Sequence, residues 1–293
     1  MIALVLASVA LVSAVGLLNR RRVTRSIERE YVGRFAVNAS GVVAGAEGFT
    51  LTGTNGRALL LLHGSGDTPQ SLRYVANKLN AAGFDVHAPL LPGHGRTPHA
   101  FAAATAAEYH DAARRALAAL NATHQWVGVI GLSMGGALAA RIAAESPGGV
   151  RALILLAPYM IPPRDVRVAR NTSRIWSAVT PYLRGRGQES VHDPVARDAS
   201  RAYGSFSAGA LEALSDTAAA GYRALPLLTM PLLVINSEQD NRIPRDLAQE
   251  ALDAIRAPVE QHWLKGCGHV ITVDYCKDDV VELVLAFLAR HAG

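Results

Sequence analysis

Only two cysteines, Cys267 and Cys276, occur in the 293 residues. That scarcity excludes a disulfide-dense scaffold and a thiolate metal centre, both of which need several cysteines at close spacing. The simplest reading of the pair is two buried free thiols, although they bracket His269 and would meet if that loop folded back. Charged residues are also sparse, at 18% against 50% hydrophobic, which excludes a chain that stays disordered for want of a core. The formal charge is +5, yet Arg20, Arg21, Arg22, Arg25 and Arg29 concentrate it in one short run. With the rest near balance, no basic groove and no nucleic-acid partner are expected. His87, His94 and His99 lack close carboxylate or thiolate company, so no metal is expected either.

What is present begins with a long apolar run from Ile2 to Leu18, interrupted by little more than Ser13 and Gly16 and followed at once by Asn19-Arg20-Arg21-Arg22. Seventeen helical residues span about 25 Å, enough for a slightly thinned bilayer. A cleaved secretory signal carries its positive charge before the apolar run, whereas here the charge follows. The expectation is a single-pass N-terminal anchor with its basic flank over residues 1–22, touching membrane lipid through residues 2–18. The positive-inside tendency then sets the body of the protein on the cytoplasmic side. The alternative is signal cleavage and a secreted or periplasmic body.

Residues 23–56 read as a connector with one edge strand at Phe49 to Thr52. From there the chain alternates buried-type aliphatic strands with helices: Ala58 to Leu62, a helix near 70–82, Asp85 to Ala88, a helix over 105–120, Trp126 to Ile130, a helix over 137–145, and Val150 to Ala157. Such alternation selects an α/β fold, a mostly parallel central sheet with helices on both faces. It breaks over about 158–230, where no aliphatic run resembles a central strand, and resumes at Leu232 to Asn236. The interruption reads as a helical cap inserted into a domain covering residues 57–293.

Three loops carry chemistry. Gly131-Leu132-Ser133-Met134-Gly135-Gly136 stands between a strand and a helix, where glycines let the backbones approach around an exposed serine; this is the nucleophile elbow pattern. A serine hydroxyl attacks only with a base held against it and donors near the developing oxyanion. Asp240 follows the strand at 232–236, and His269 follows the last short strand at His262 to Leu264. The chain order Ser133, Asp240, His269 is the one this architecture uses. Glu238 competes with Asp240 for the acid role. The backbone N–H groups of Met134 and Ser65 are the expected oxyanion donors. His63-Gly64-Ser65-Gly66 is not a phosphate loop, because no Lys-Ser or Lys-Thr pair follows it. Candidate substrate contacts are His63, Gly64, Trp176 and Val270.

The motifs Leu60-Leu61-Leu62-His63-Gly64, Pro92-Gly93-His94-Gly95, the elbow, Asp240 with Ile243-Pro244, and Gly268-His269-Val270-Ile271-Thr272 occur in one order over about residues 58–290. In this the sequence resembles the carboxylesterase and monoacylglycerol lipase group of α/β-hydrolases. The resemblance implies cofactor-free hydrolysis of a small-molecule carboxylic ester through an acyl-serine, beneath a mobile cap. It departs from the group in its apolar N-terminus and in the small Ser65 and Gly66, where an aromatic residue is frequent. A thioesterase or aminopeptidase of the same fold, and an idle anchored binding module, are the alternatives.

Overall fold

The computed structural model describes residues 2–185 and 190–292, with the side chains of 2–13 and 32 outside the described set. Its centre is a seven-stranded sheet: β1 (Phe49–Leu51), β2 (Ala58–Leu62), β3 (Asp85–Ala88), β4 (Val127–Leu132), β5 (Ala152–Leu156), β8 (Leu232–Ser237) and β9 (Val259–Leu264). The spatial order is β1-β3-β2-β4-β5-β8-β9, with β1 antiparallel to β3 and every other pair parallel. Strands β2, β4 and β5 are buried along their whole length. Helices cover both faces, so uninterrupted aliphatic runs are what such strands require.

On one face lie α4 (Ala106–Asn121) and α5 (Met134–Glu145); on the other, α2 (Arg73–Ala81) and α11 (Lys277–His291). Thr105 and Glu108 form a reciprocal capping box that starts α4 where its apolar periodicity begins. The helix expected near 70–82 is tighter at its start, where Pro69–Leu72 forms a 3-10 turn before α2.

The cap contains α6 (Arg164–Asn171), α7 (Ser173–Val179), α8 (Pro194–Ala199) and a two-stranded antiparallel sheet of β6 (Tyr182–Arg184) and β7 (Ser205–Ser207). Helix α9 (Ala208–Ala224), expected within the cap, instead packs along α5 in the body. Small residues make that approach possible: a Cβ on Gly221 would fall 2.6 Å from the Ala137 Cα. Polar periodicity hid this role, because alanine and glycine seams carry little hydropathy.

The N-terminal region also differs from expectation. The connector does not begin at residue 23, since a single helix α1 runs Ile2–Arg34. Its second half docks on the cap, where Tyr31 stacks on Tyr203 at 4.7 Å between ring centroids and Glu30 pairs with Arg184 at 2.8 Å. Among the described residues no helix is long and apolar enough to cross a membrane. The side chains of most of the apolar stretch 2–18 lie outside that set.

Candidate active site

The strands of a parallel sheet converge their loops at one edge, and ligands of open α/β sheets bind there. Here β2, β4, β8 and β9 deliver the loops carrying Ser65, Ser133, Asp240 and His269. Ser133 sits between β4 and α5 with φ 55° and ψ −118°, a conformation rare for a residue with a Cβ. The neighbouring glycines are sterically required: a Cβ on Gly131 would lie 2.3 Å from the Gly135 carbonyl oxygen, and one on Gly135 would lie 2.1 Å from the Leu62 oxygen. The elbow thus holds the serine at the tip of a turn braced by its own backbone.

His269 Nε2 lies 2.8 Å from Ser133 Oγ, and its Nδ1 lies 2.7 Å from Asp240 Oδ2. The other Asp240 oxygen accepts backbone N–H groups of Arg242 at 2.7 Å and Ile243 at 2.9 Å. Burial works to raise the Asp240 pKa, but the facing His269 and these two donors outweigh it and hold the carboxyl below its usual range. Both side chains are almost enclosed, at 8% and 4% exposure for His269 and Asp240, so their coupling is poorly screened by solvent. Glu238, the competing acid, points elsewhere and pairs with Arg245 and Lys265.

A cavity of about 500 Å³ opens onto Ser133 and His269, a size typical of small-molecule sites. Gly64, Ser65 and Val270 line it. Met134 is the first residue of α5, so its N–H belongs to the helix start that has no intrahelical partner.

Two expected contacts are corrected. His63 is fully buried; its Nδ1 donates to the Gly64 carbonyl at 2.9 Å while its Nε2 accepts the Leu91 N–H at 3.1 Å. With both ring nitrogens occupied it pins the loop and has no group left for substrate. Burial, then the neighbouring His94, hold its pKa well below the usual value, consistent with a neutral ring. Trp176 lies off the cavity, its Nε1 donating to the Ala169 carbonyl at 2.7 Å. The cap residues that do reach the cavity include Val166, Ala169 and Leu183.

The thiols are corrected as well. Cys267 and Cys276 form a disulfide, with Cα atoms 5.9 Å apart, inside the range such a bond spans. Asp274 folds the loop back. Fully buried, it accepts N–H groups from Gly268 at 2.7 Å, Tyr275 at 2.9 Å, and the cap residues His192 at 2.8 Å and Asp193 at 2.9 Å. Burial alone would raise this carboxyl; four donors more than offset it and lower its pKa. Sequence reasoning passed over Asp274 because nothing local separates such a hub from a surface acid.

The model of the family described as Serine aminopeptidase, S33, matches residues 54–275. The chain belongs to that family. It is 27% identical over 256 residues to the thermostable monoacylglycerol lipase of Bacillus sp. (strain H-257), covering 86% of this chain and 98% of that one. It is 24% identical over 251 residues to a carboxylesterase of Bacillus subtilis (strain 168), covering 83% and 96%. Among solved structures, one from work on the metagenome-derived lipolytic enzymes LipS and LipT superposes with a TM-score of 0.78 at 28% identity, covering 85% of this chain and all (100%) of that one. The monoacylglycerol lipase of Paleococcus ferrophilus, at TM-score 0.71, 18% identity and coverage of 83% and 98%, shares the fold. This serine hydrolase is thus of the esterase and monoacylglycerol lipase type, and α1 lies outside the residues matched by the family.

Proposed function

We propose that the protein hydrolyses carboxylic esters, lipid-derived or medium-chain and monoacylglycerol-like, through an acyl-serine intermediate. The single observation that carries the reading is His269 bridging Ser133 Oγ and Asp240. His269 Nε2 takes the Ser133 proton as Oγ attacks the ester carbonyl carbon. The oxyanion so formed is stabilised by the N–H groups of Ser65 and Met134. Collapse breaks the bond to the alkoxy oxygen, which leaves with the proton from His269. Water then attacks the acyl-serine with His269 again as base, releasing the acid and restoring Ser133. Asp240 fixes the imidazole tautomer and stabilises its cation throughout. The apolar cavity lining suits an acyl chain, and the monoacylglycerol lipase and carboxylesterase relatives support the same substrate class.

The apolar run 2–18 supports an N-terminal membrane anchor. For the side on which the body sits, two features pull apart: the arginines after the run favour the cytoplasm, while the disulfide favours an oxidising compartment. Protease access to the body in intact cells decides between them.

The reading is tested with p-nitrophenyl esters of increasing chain length, acyl thioesters and aminoacyl amides, each against Ser133→Ala. Ester turnover that Ser133→Ala abolishes is expected. Turnover of amides or thioesters but not esters would overturn the ester assignment and keep the nucleophile.

A further inference from the structure

Ser65 stands between two points at which its loop is held. Before it, the His63 ring ties the loop to the Leu91 N–H and the Gly64 carbonyl. After it, the Gly66 carbonyl accepts the backbone N–H of Tyr203 at 3.0 Å. Tyr203 belongs to the cap, between α8 and β7. Gly66 has φ 68°, in the region open chiefly to glycine, so the loop itself does little to restrict its own conformation. Contacts from elsewhere must fix it.

Aromatic rings supply them. A Cβ on Gly66 would meet the Phe101 ring at 3.5 Å and Tyr203 Cδ2 at 4.0 Å, so both rings pack against the glycine. Phe101 and Tyr203 stack at 4.8 Å between centroids and 6° between planes. Tyr31 of α1 stacks on the same Tyr203 ring, at 4.7 Å and 25°. The Tyr203 hydroxyl accepts the Arg96 N–H at 2.9 Å and donates to the Gly93 carbonyl at 3.0 Å, which ties it to the loop after β3 as well. Tyr203 is therefore the joint at which α1, the cap and two loops of the body meet, and it does not line the cavity at Ser133.

We propose that Tyr203 is a positioning residue for the Ser65 N–H, and that α1 holds it in place through Tyr31. Tyr203 touches no reacting atom. It acts through the Gly66 carbonyl, two peptide groups beyond the Ser65 N–H. Donors to an oxyanion are effective because they are in place before the charge develops, and a shift of about 1 Å costs on the order of a hundredfold. The family match begins at residue 54, so Tyr31 is an addition of this chain. Helix α1 then serves as a brace for the oxyanion loop besides being the proposed anchor.

The inference rests on the ester-hydrolase reading with Ser65 as donor, and one experiment separates the two. Kinetics on one p-nitrophenyl ester are compared in the wild type, Tyr203→Ala, Tyr31→Ala and Tyr31→Phe, together with the inhibition constant of a trifluoromethyl ketone of matched chain length. Ser133 Oγ bonds to the ketone carbon, its proton passes to His269, and the carbonyl electron pair forms an oxyanion facing the same donors. Tyr203→Ala is expected to lower kcat about a hundredfold and to weaken the ketone equally, with KM within about twofold. Tyr31→Ala alters no residue of the catalytic loops and should move both quantities the same way by about tenfold. Tyr31→Phe keeps the stacked ring and should restore them. If Tyr203→Ala does not fold, the Tyr31 pair decides. A stack that only stabilises the fold would lower Tm in the alanine variants while leaving kcat and ketone affinity unchanged, and that result overturns the positioning role. The ketone requires no turnover, so a wild type that binds it but cleaves no ester overturns the ester reading alone.

Discussion

The sheet body and the cap are held together by different means. In the body, Leu59, Leu60, Leu61 and Leu62 of β2 are each 0% exposed, and the loops that leave β2, β8 and β9 are fixed by hydrogen bonds at His63, Asp240 and Asp274. In the cap, α6, α7 and α8 bury no residue fully, and Ile175 stands 75% exposed. Ser133 and His269 therefore sit on the rigid layer, where misplacement by an ångström would matter for the proposed chemistry. Val166, Ala169 and Leu183 reach the cavity from the layer with the lower local stability, the kind of region from which lids are drawn.

The sharpest break in that comparison is Asp240→Asn. It should lower kcat on the order of 10⁴-fold with little change in KM, because the imidazole loses the partner that sets its tautomer. A cap substitution such as Ile175→Ser should leave kcat within about twofold, since that side chain already faces solvent.

Next in size is the packing contrast, read by thermal or urea unfolding. Leu60→Ala should destabilise by about 2–5 kcal/mol through a cavity in the close-packed sheet. Ile175→Ser should change stability by about 0.5 kcal/mol or less. Equal losses at the two sites would erase the distinction between layers.

The disulfide comes third. Removing the Cys267–Cys276 bond with Cys276→Ser should destabilise by roughly 2–4 kcal/mol on the loop-closure model. It should also slow fluorophosphonate labelling more than it shifts ligand affinity in the cap, because the bond closes the loop that carries His269.

The smallest effect is a difference in sign with pH. Asp240 and Asp274 have lowered native pKa values, so each contributes stability that is present above the unfolded value, near 3.8, and is lost as pH falls through the folded one. Asp67, which burial raises to about 6, does the opposite: its contribution is full below the unfolded value and is lost as pH rises through about 6. Asp67→Asn should therefore raise Tm by a few degrees at about pH 8 and barely at about pH 4, whereas Asp274→Asn should lower Tm most at about pH 8.

Much of the sheet was legible because buried parallel strands leave continuous aliphatic runs, and β2, β4, β5 and β8 fall within about two residues of their expected positions. Ser133 and Asp240 were legible as candidates because each follows such a run in a short loop, and His269 because it follows the last short strand. The structure brings the three side chains together; their catalytic roles are the proposal. What escaped depends on partners distant in sequence. His63 faces Leu91, not the cavity; α9 packs through small residues; Tyr203 is one aromatic in a polar stretch until the fold sets it against Gly66. Cys267 and Cys276 are nine residues apart, a spacing compatible with free thiols or a bond until Asp274 fixes the loop.

The most direct measurement is mass spectrometric mapping of the fluorophosphonate adduct on the intact protein, alongside His269→Ala. The account predicts a single adduct on Ser133 and a loss of labelling rate of at least a hundredfold in the variant. An adduct on another serine, or a Ser133 adduct that forms equally fast without His269, would contradict it.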